Sequence, residues 1–435
     1  MGKIMKQPYG LNRWIALGLL SFFCTLSLMP FIQATPLPPP QSIDMNLEQT
    51  MFRRMSIREF TNDSITDEQL ATILWNAAGY RSDGNRTISG INGTFASIIY
   101  VLRADAAYTY DPVNHTLNLY KSGDWRDIVN DQYPGAPLVL GLCYNTTRAP
   151  VNLAGAEIGE LCQNIAFTVD ALNLGAVVTG GLPPAINQMG IPDDQAGLIV
   201  MPIGHLLHSY SFKYRPLWIS LLPKVIETPL NLTTALRQRT ETTSFQGTVT
   251  RPELSQLLWS SYGFSYNIDR SKQDLNAVVR HRTVPSAHGY YPLDIYAVTD
   301  AGVYRYQPNL ITGLITLFSD YPVDFLGLPI VTFIQKIRAG DHRAALADAC
   351  SLHTISTAPL SIIMVLSNER THDAGEPYVP FWYLEAGAAT QNIMLEATAL
   401  GFHSNIALPT DSAALNSLLK LGEGFTPLLI VPVGS

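Results

Sequence analysis

Ile65-Thr66-Asp67-Glu68-Gln69-Leu70-Ala71-Thr72-Ile73-Leu74-Trp75-Asn76-Ala77-Ala78-Gly79-Tyr80 and Val249-Thr250-Arg251-Pro252-Glu253-Leu254-Ser255-Gln256-Leu257-Leu258-Trp259-Ser260-Ser261-Tyr262-Gly263 are two versions of one pattern in a single chain. Each has a threonine at the N-cap, an acidic residue in the first turn, apolar residues at helical spacing and a glycine stop. A phenylalanine precedes each, Phe60 and Phe245. Further landmarks keep the same order on both sides. Ile98-Ile99-Tyr100-Val101-Leu102 answers Asp294-Ile295-Tyr296-Ala297-Val298, and Tyr108-Thr109-Tyr110-Asp111-Pro112 answers Tyr304-Arg305-Tyr306-Gln307-Pro308. Gly123-Asp124-Trp125-Arg126 matches Gly340-Asp341-His342-Arg343, Ala136-Pro137 matches Ala358-Pro359, and Gln163-Asn164-Ile165 matches Gln391-Asn392-Ile393. Both copies close on an apolar strand, Leu198 to Gly204 and Leu428 to Gly434. An ordered set of this kind indicates an internal duplication.

Within each copy the order helix, strand, strand, helix, strand, helix, strand predicts an α+β layered domain. The expected division is a first domain over 45–215, a linker over 216–232 interrupted by Pro216, Pro223 and Pro229, and a second domain over 233–435. The second copy carries an apolar insertion, Ile311 to Ile337, which reads either as extra core or as a lid or membrane-facing patch. Residues 1–34 are separate: Lys3, Lys6 and Arg13 precede an uncharged run from Trp14 to Ile32, and prolines follow from Pro36. This reads as a secretory signal or an N-terminal membrane anchor, and so as an extracytoplasmic location, secreted or membrane-attached.

The chain has 435 residues, 47% apolar and only 14% charged, enough for two sizeable cores. A net charge of -7 offers no basic field, so no nucleic-acid partner is expected. Beyond Cys24, the cysteines Cys143, Cys162 and Cys350 are widely spaced and show no metal-ligand pattern; all three read as small buried residues, and no metal is expected.

Arg54-Met55-Ser56-Ile57-Arg58-Glu59-Phe60 and Arg282-Thr283-Val284-Pro285-Ser286-Ala287-His288-Gly289-Tyr290 resemble motifs of the nitroreductase superfamily, especially its SagB-type dehydrogenase branch. That resemblance spans nearly the whole chain after residue 34. It implies an FMN-binding fold that ordinarily dimerises, with flavin sites between protomers; a tandem chain would imitate the dimer within one molecule, as two fused nitroreductase-like domains in a monomeric pseudo-dimer. One protomer of such a dimer supplies an R-x-S-x-R phosphate motif, a glycine-containing segment beside the flavin ring and basic residues after the last strand. The other supplies a P-S loop.

The two copies divide these parts. Arg54, Ser56 and Arg58 alternate along an extended segment, where two guanidinium forks and a hydroxyl can meet a phosphate. The second copy has Arg239, Glu241 and Thr243 there, and a carboxylate facing a phosphate is repulsive. The resemblance places Gly180 and Gly181 beside the flavin, with Lys213 and Arg215 as further cations; Leu408 and Pro409 stand in place of the two glycines in the second copy. The second copy alone keeps the crossing loop, Pro285-Ser286-Ala287-His288, where the first has Ser89-Gly90-Ile91-Asn92-Gly93. One composite FMN site is therefore expected, built from the first half's Arg54, Ser56, Arg58, Gly180, Gly181, Lys213 and Arg215 and the second half's Pro285, Ser286, Ala287 and His288.

The resemblance implies two-electron chemistry on a small-molecule substrate, with an electron donor that the sequence does not identify. No catalytic side chain stands out; His288 and Tyr290 are the residues to test, His288 being read first as a hydrogen-bonded loop histidine. The Lys-Tyr pair of the azoline-oxidising branch is missing from its place, and Glu160 and Ala388 replace the helix histidine of that branch, which disfavours peptide azoline oxidation. The competing expectation is a pseudoenzyme that binds flavin, another ligand or a partner without turnover. A membrane-anchored enzyme facing the cytoplasm is the third reading.

Overall fold

The computed structural model describes residues 34–91, 93–130, 132–180, 185–209, 212–213, 218–268, 280–308, 330–371 and 374–435. Residues 1–33 of the leader, Gly181, Arg215 and residues 311–329 of the insertion lie outside the described residues.

The first half contains β1 (Ala34–Pro36), α1 (Leu47–Arg53), α2 (Asp67–Ala78), β2 (Ser97–Leu102), β3 (Ala106–Asp111), β4 (Thr116–Ser122), β5 (Leu138–Asn145), α3 (Val151–Ala171), β6 (Leu174–Ala176) and β7 (Gln195–His205). Two short strands follow, β8 (Phe212–Lys213) and β9 (Trp218–Ser220). The second half contains α4 (Leu232–Gln238), α5 (Arg251–Tyr262), β10 (Phe264–Ile268), β11 (Arg280–Arg282), β12 (Leu293–Thr299), β13 (Gly302–Gln307), β14 (Ile330–Ala339), β15 (Leu360–Ser367), α6 (Val379–Ala399), β16 (His403–Ser404) and β17 (Phe425–Gly434). Helices α2 and α5, the two versions of the opening pattern, each begin with a complete capping box, Thr66 with Gln69 and Thr250 with Glu253.

The two large sheets match strand for strand. The first runs β1-β4-β3-β2-β5-β7-β6 and the second, read from its opposite edge, β9-β14-β13-β12-β15-β17-β16. The Gly-Asp-x-Arg repeat folds alike in both: Arg126 grips Asp124 and donates to the Pro137 carbonyl, while Arg343 grips Asp341 and donates to the Ala358 carbonyl. The stretch 216–232 is more than a tether. Within it β9 pairs in parallel with β14 at the edge of the second sheet, and just upstream β8 pairs with β10. The first half thus hands its tail to the second. The described part of the apolar insertion, Ile330 to Ile337, belongs to β14.

Helices α3 and α6 run through the centre, each 21 residues long and buried along almost its entire length. A helix buried all round belongs to a core rather than a surface. They cross at backbone contact because glycines stand at the crossing. A Cβ on Gly159 would fall 2.0 Å from the Leu384 carbonyl oxygen, and one on Gly387 1.9 Å from that of Ala156. The repeated Gln-Asn pair fastens the crossing from both sides. Gln163 and Asn392 both donate to the Thr283 carbonyl, at 2.8 and 3.2 Å, while Gln391 and Asn164 both donate to the Thr87 carbonyl, at 3.1 and 3.3 Å. Each half therefore satisfies a buried carbonyl of the other. The three cysteines are free and buried, as their spacing indicated.

Candidate functional site between the halves

The segment after α1 is set by three contacts. The Met55 amide donates to the Asp170 carboxylate at 3.1 Å, the Ile57 amide donates to the Ala176 carbonyl at 2.8 Å, and Phe60 bridges to Leu206. Asp170 lies buried at the end of α3; burial pushes its carboxyl up to about 8, against the opposing pull of Arg54 and Arg53. This lays Ser56 and Arg58 beside the stretch that follows β6, where Thr179 exchanges two backbone hydrogen bonds with Val200.

From the other half comes the loop after β11. Thr283, held by Gln163 and Asn392, fixes its start. The loop then turns through left-handed conformations at His288 (φ 52°), Gly289 (φ 73°) and Tyr291 (φ 47°). Left-handed backbone at His288 and Tyr291 is strained for residues bearing a Cβ, and such strain persists only where surrounding contacts enforce it. Ser286 is the enforcing contact: its hydroxyl accepts from the Tyr291 amide at 2.8 Å and donates to Glu385 Oε2 at 2.6 Å. One lone pair remains on that hydroxyl. Glu385 also accepts from the Tyr262 hydroxyl, and burial pushes its carboxyl up to about 7 despite these donors.

These pieces line one cleft, with a cavity volume of ≈ 210 Å³. Ser56, Arg58, Tyr133 and Val177 to Gly180 come from the first half; Pro285, Ser286, Ala287, His288, Tyr378, Phe381 and Glu385 come from the second. An aromatic wall closes one side, where Tyr378 stacks on Trp382 and packs against Phe381, and His288 packs against Tyr290 and Tyr378.

Several sequence expectations change at this level. Arg54 does not line the cleft. It is 3% exposed and donates through Nε and Nη2, both at 3.2 Å, to the Arg282 carbonyl of the other half. Its counterpart Arg239 does the same for the Arg86 carbonyl at 3.1 Å, so the first arginine of both copies clamps the halves together. Gly180 does line the cleft, but its missing Cβ admits the Phe381 ring, whose Cε1 would lie 2.7 Å from that atom. Lys213 is placed by its backbone, paired with Asn267. His288 is exposed, packs ring on ring and makes no hydrogen bond among the described residues, contrary to the hydrogen-bonded loop histidine. Glu385, Tyr378 and Phe381 went unread in the sequence. The signal for Glu385 was present: it stands six residues before Gln391, as Glu157 stands before Gln163, and both carboxylates are buried.

At the corresponding place in the other copies, Arg239 reaches Glu241 at 3.0 Å and also donates to the Ser89 hydroxyl, while Glu160, pushed up to about 8 by burial, accepts from the Ser89 amide at 2.6 Å. Side chains there hold one another.

Two like α+β halves joined through their central helices, with a cleft fed from both, define a duplicated protein of a single fold. The Nitroreductase family model matches residues 51–205 and 246–435, and the chain belongs to that family. A nitroreductase-named protein of Methanocaldococcus jannaschii is 32% identical over 196 residues, which is 43% of this chain and 81% of that protein. A nitroreductase-named structure from Anabaena variabilis shares the fold across both halves, with a TM-score of 0.64 at 14% identity and 94% of each chain covered. A Desulfovibrio desulfuricans structure in complex with FMN is 22% identical over 39% of this chain and 92% of its own, with a TM-score of 0.28.

Proposed function

We propose that this chain is an FMN-dependent oxidoreductase with one composite flavin site, and that its fused halves act as an intramolecular pseudo-dimer. The observation that carries the reading is the cleft, where Ser56 and Arg58 of one half share a lining with Pro285 to His288 of the other. The residues fit an anionic cofactor. Arg58 is exposed, and among the described residues its one hydrogen bond is a long 3.5 Å contact to the Ser56 carbonyl, which leaves its donor fork for a phosphate. Ser56 would add a hydroxyl, and the stretch from Val177 to Gly180 and the Pro285–His288 loop would flank the ring.

FMN, when bound, supplies two-electron redox chemistry. The chain's own contribution is placement: Ser286 offers its remaining lone pair to a donor, and Tyr378 and Phe381, with Trp382 packed behind Tyr378, exclude water and take a planar substrate. Glu385, with its proton held toward neutral pH, sets which way the Ser286 hydroxyl points. Motifs nearest the SagB-type branch, without that branch's Lys-Tyr pair, favour a small-molecule substrate over a peptide azoline. The leader read in residues 1–34 favours an extracytoplasmic location, secreted or held at the membrane by its N-terminus, and a donor other than a cytoplasmic nicotinamide pool.

Flavin stoichiometry of the chain purified without residues 1–34 tests the proposal, by visible absorbance and FMN release. One FMN per chain is expected. Two would sink the single composite site, and none after reconstitution with free FMN would favour a flavin-free pseudoenzyme.

A further inference from the structure

The duplication supplies an internal control for a second cavity, whose lining shares no residue with the cleft. Arg86 and Arg282 hold the same place in the two halves. Each precedes a threonine, Thr87 or Thr283, whose amide donates to the glycine ending the opening helix, Gly79 or Gly263, at 3.0 Å. Around Arg282 three rings close at 4.8, 4.6 and 4.7 Å, those of Tyr262, Phe264 and Tyr291, and its Nη1 donates to the Tyr262 carbonyl at 3.1 Å.

Around Arg86 the third ring is missing. Tyr80 and Phe95 flank the guanidinium at 5.5 and 4.6 Å, but Ala78 stands where the repeat has Tyr262. A cavity of ≈ 590 Å³ opens there, lined by Ala78, Tyr80, Arg86, Phe95, Tyr110 and Arg148 with a few neighbours. Arg86 is 6% exposed and its Nε donates to the Ala78 carbonyl at 3.0 Å. Its Nη1 and Nη2 make no hydrogen bond among the described residues and are left to the cavity the residue lines. A buried guanidinium with unused donors calls for an anion. Glu157 and Glu160 lend Arg86 opposite charge but no hydrogen bond; the Glu157 carboxylate accepts instead from the Ala96 amide at 2.8 Å and from the amide and hydroxyl of Ser97. Arg148, exposed and held by the Phe95 carbonyl at 3.3 Å, adds a second cation at the rim.

We propose that this cavity binds a small aryl carboxylate, its carboxylate on Arg86 and its ring in the space that Tyr262 fills in the other half. One buried guanidinium matches one negative charge, and the apolar walls (Ala78, Phe95, Ile99, Pro112) favour an anion with an apolar body over inorganic phosphate.

Titration calorimetry on the full chain, with benzoate as probe and benzamide as its neutral counterpart, tests this. Benzoate binds at least about tenfold more tightly than benzamide, the difference expected of a charge-assisted hydrogen-bonded pair. Ala78→Tyr, which restores the residue the other half carries, abolishes benzoate binding; Arg86→Gln and Arg148→Ala weaken it. Arg58→Ala leaves it unchanged, because the cleft between the halves is a different site. Equal binding of benzoate and benzamide, no saturable benzoate binding, or loss of binding in Arg58→Ala would each overturn the proposal. So would displacement of benzoate by an equal concentration of inorganic phosphate. If Ala78→Tyr does not fold, Arg148→Ala, at an exposed position, decides: unweakened binding counts against the site.

Discussion

Gly159→Ala inserts one methyl group where the two central helices touch. The added Cβ would lie 2.0 Å from the Leu384 carbonyl oxygen, 2.8 Å from its carbon and 2.9 Å from the Ala388 amide nitrogen. An ordinary carbon–oxygen contact needs about 3.3 Å, so α3 and α6 must separate by about 1.3 Å at their crossing. All the atoms met are backbone, so no side chain can swing aside. Alanine in a helix interior gains up to about 1 kcal/mol over glycine, while overpacking costs about 1–3 kcal/mol and sits at the upper end against rigid backbone. The net expectation is a loss of about 1–2 kcal/mol by that balance. Leu384 and Glu385 line the cleft, so the same displacement loosens flavin retention. The assay is urea unfolding followed by far-ultraviolet circular dichroism, with Gly422→Ala as control, since a Cβ there meets nothing within 4 Å and no left-handed backbone is required. A Gly159→Ala midpoint equal to or above that of the wild type would refute the reasoning, because helix propensity would then have outweighed the crossing.

Further outcomes follow from the site. Arg58→Ala lowers flavin affinity about tenfold to a hundredfold, the range for a lost charged hydrogen bond, and leaves the urea midpoint unchanged; equilibrium dialysis with FMN reads the first. Arg54→Ala costs about 1–3 kcal/mol of stability, because the partly buried Arg282 carbonyl of the other half loses its donor, and a midpoint within error of wild type would return Arg54 to a purely ligand-binding role. Asp170 and Glu160 are pushed up to about 8 and Glu385 to about 7, chiefly by burial. Raised carboxyls stabilise the fold fully below the usual carboxylate range, and that contribution is lost as pH rises through their raised values near 7 to 8. The melting temperature therefore falls from pH 5 to pH 8, and Asp170→Asn shows a shallower fall; parallel profiles would exclude Asp170 as a contributor.

Much of the fold was legible because duplication repeats local signals. Capping boxes, glycine stops and strand order depend on neighbours in sequence, and each was written twice. The Gln-Asn pairs were legible as landmarks but not as clamps, since their partners, Thr87 and Thr283, lie far away in the chain. Alternation put Arg54 and Arg58 on one side of an extended segment and gave no means to separate them. What separates them is tertiary: the Arg282 carbonyl meets one guanidinium, and the cleft meets the other. Gly180 was read as room for a ligand, whereas the ring that enters beside it, Phe381, belongs to the other half. The contrast between Ala78 and Tyr262 was visible as a mismatch in the repeat, but a mismatch becomes a cavity only once the surrounding walls are known.

The reciprocal clamps carry a consequence for concentration. Where two protomers must find each other, the share of assembled sites falls on dilution, because association is bimolecular. Here the facing surfaces are joined by a chain whose tail strands are already paired into the other half, so their encounter is intramolecular and the local concentration of one surface around the other is fixed. A chain at nanomolar concentration is as fully assembled as one at millimolar. Each half, having only one partner to satisfy, is also free to change in ways that a protein paired with an identical copy would have to suffer twice.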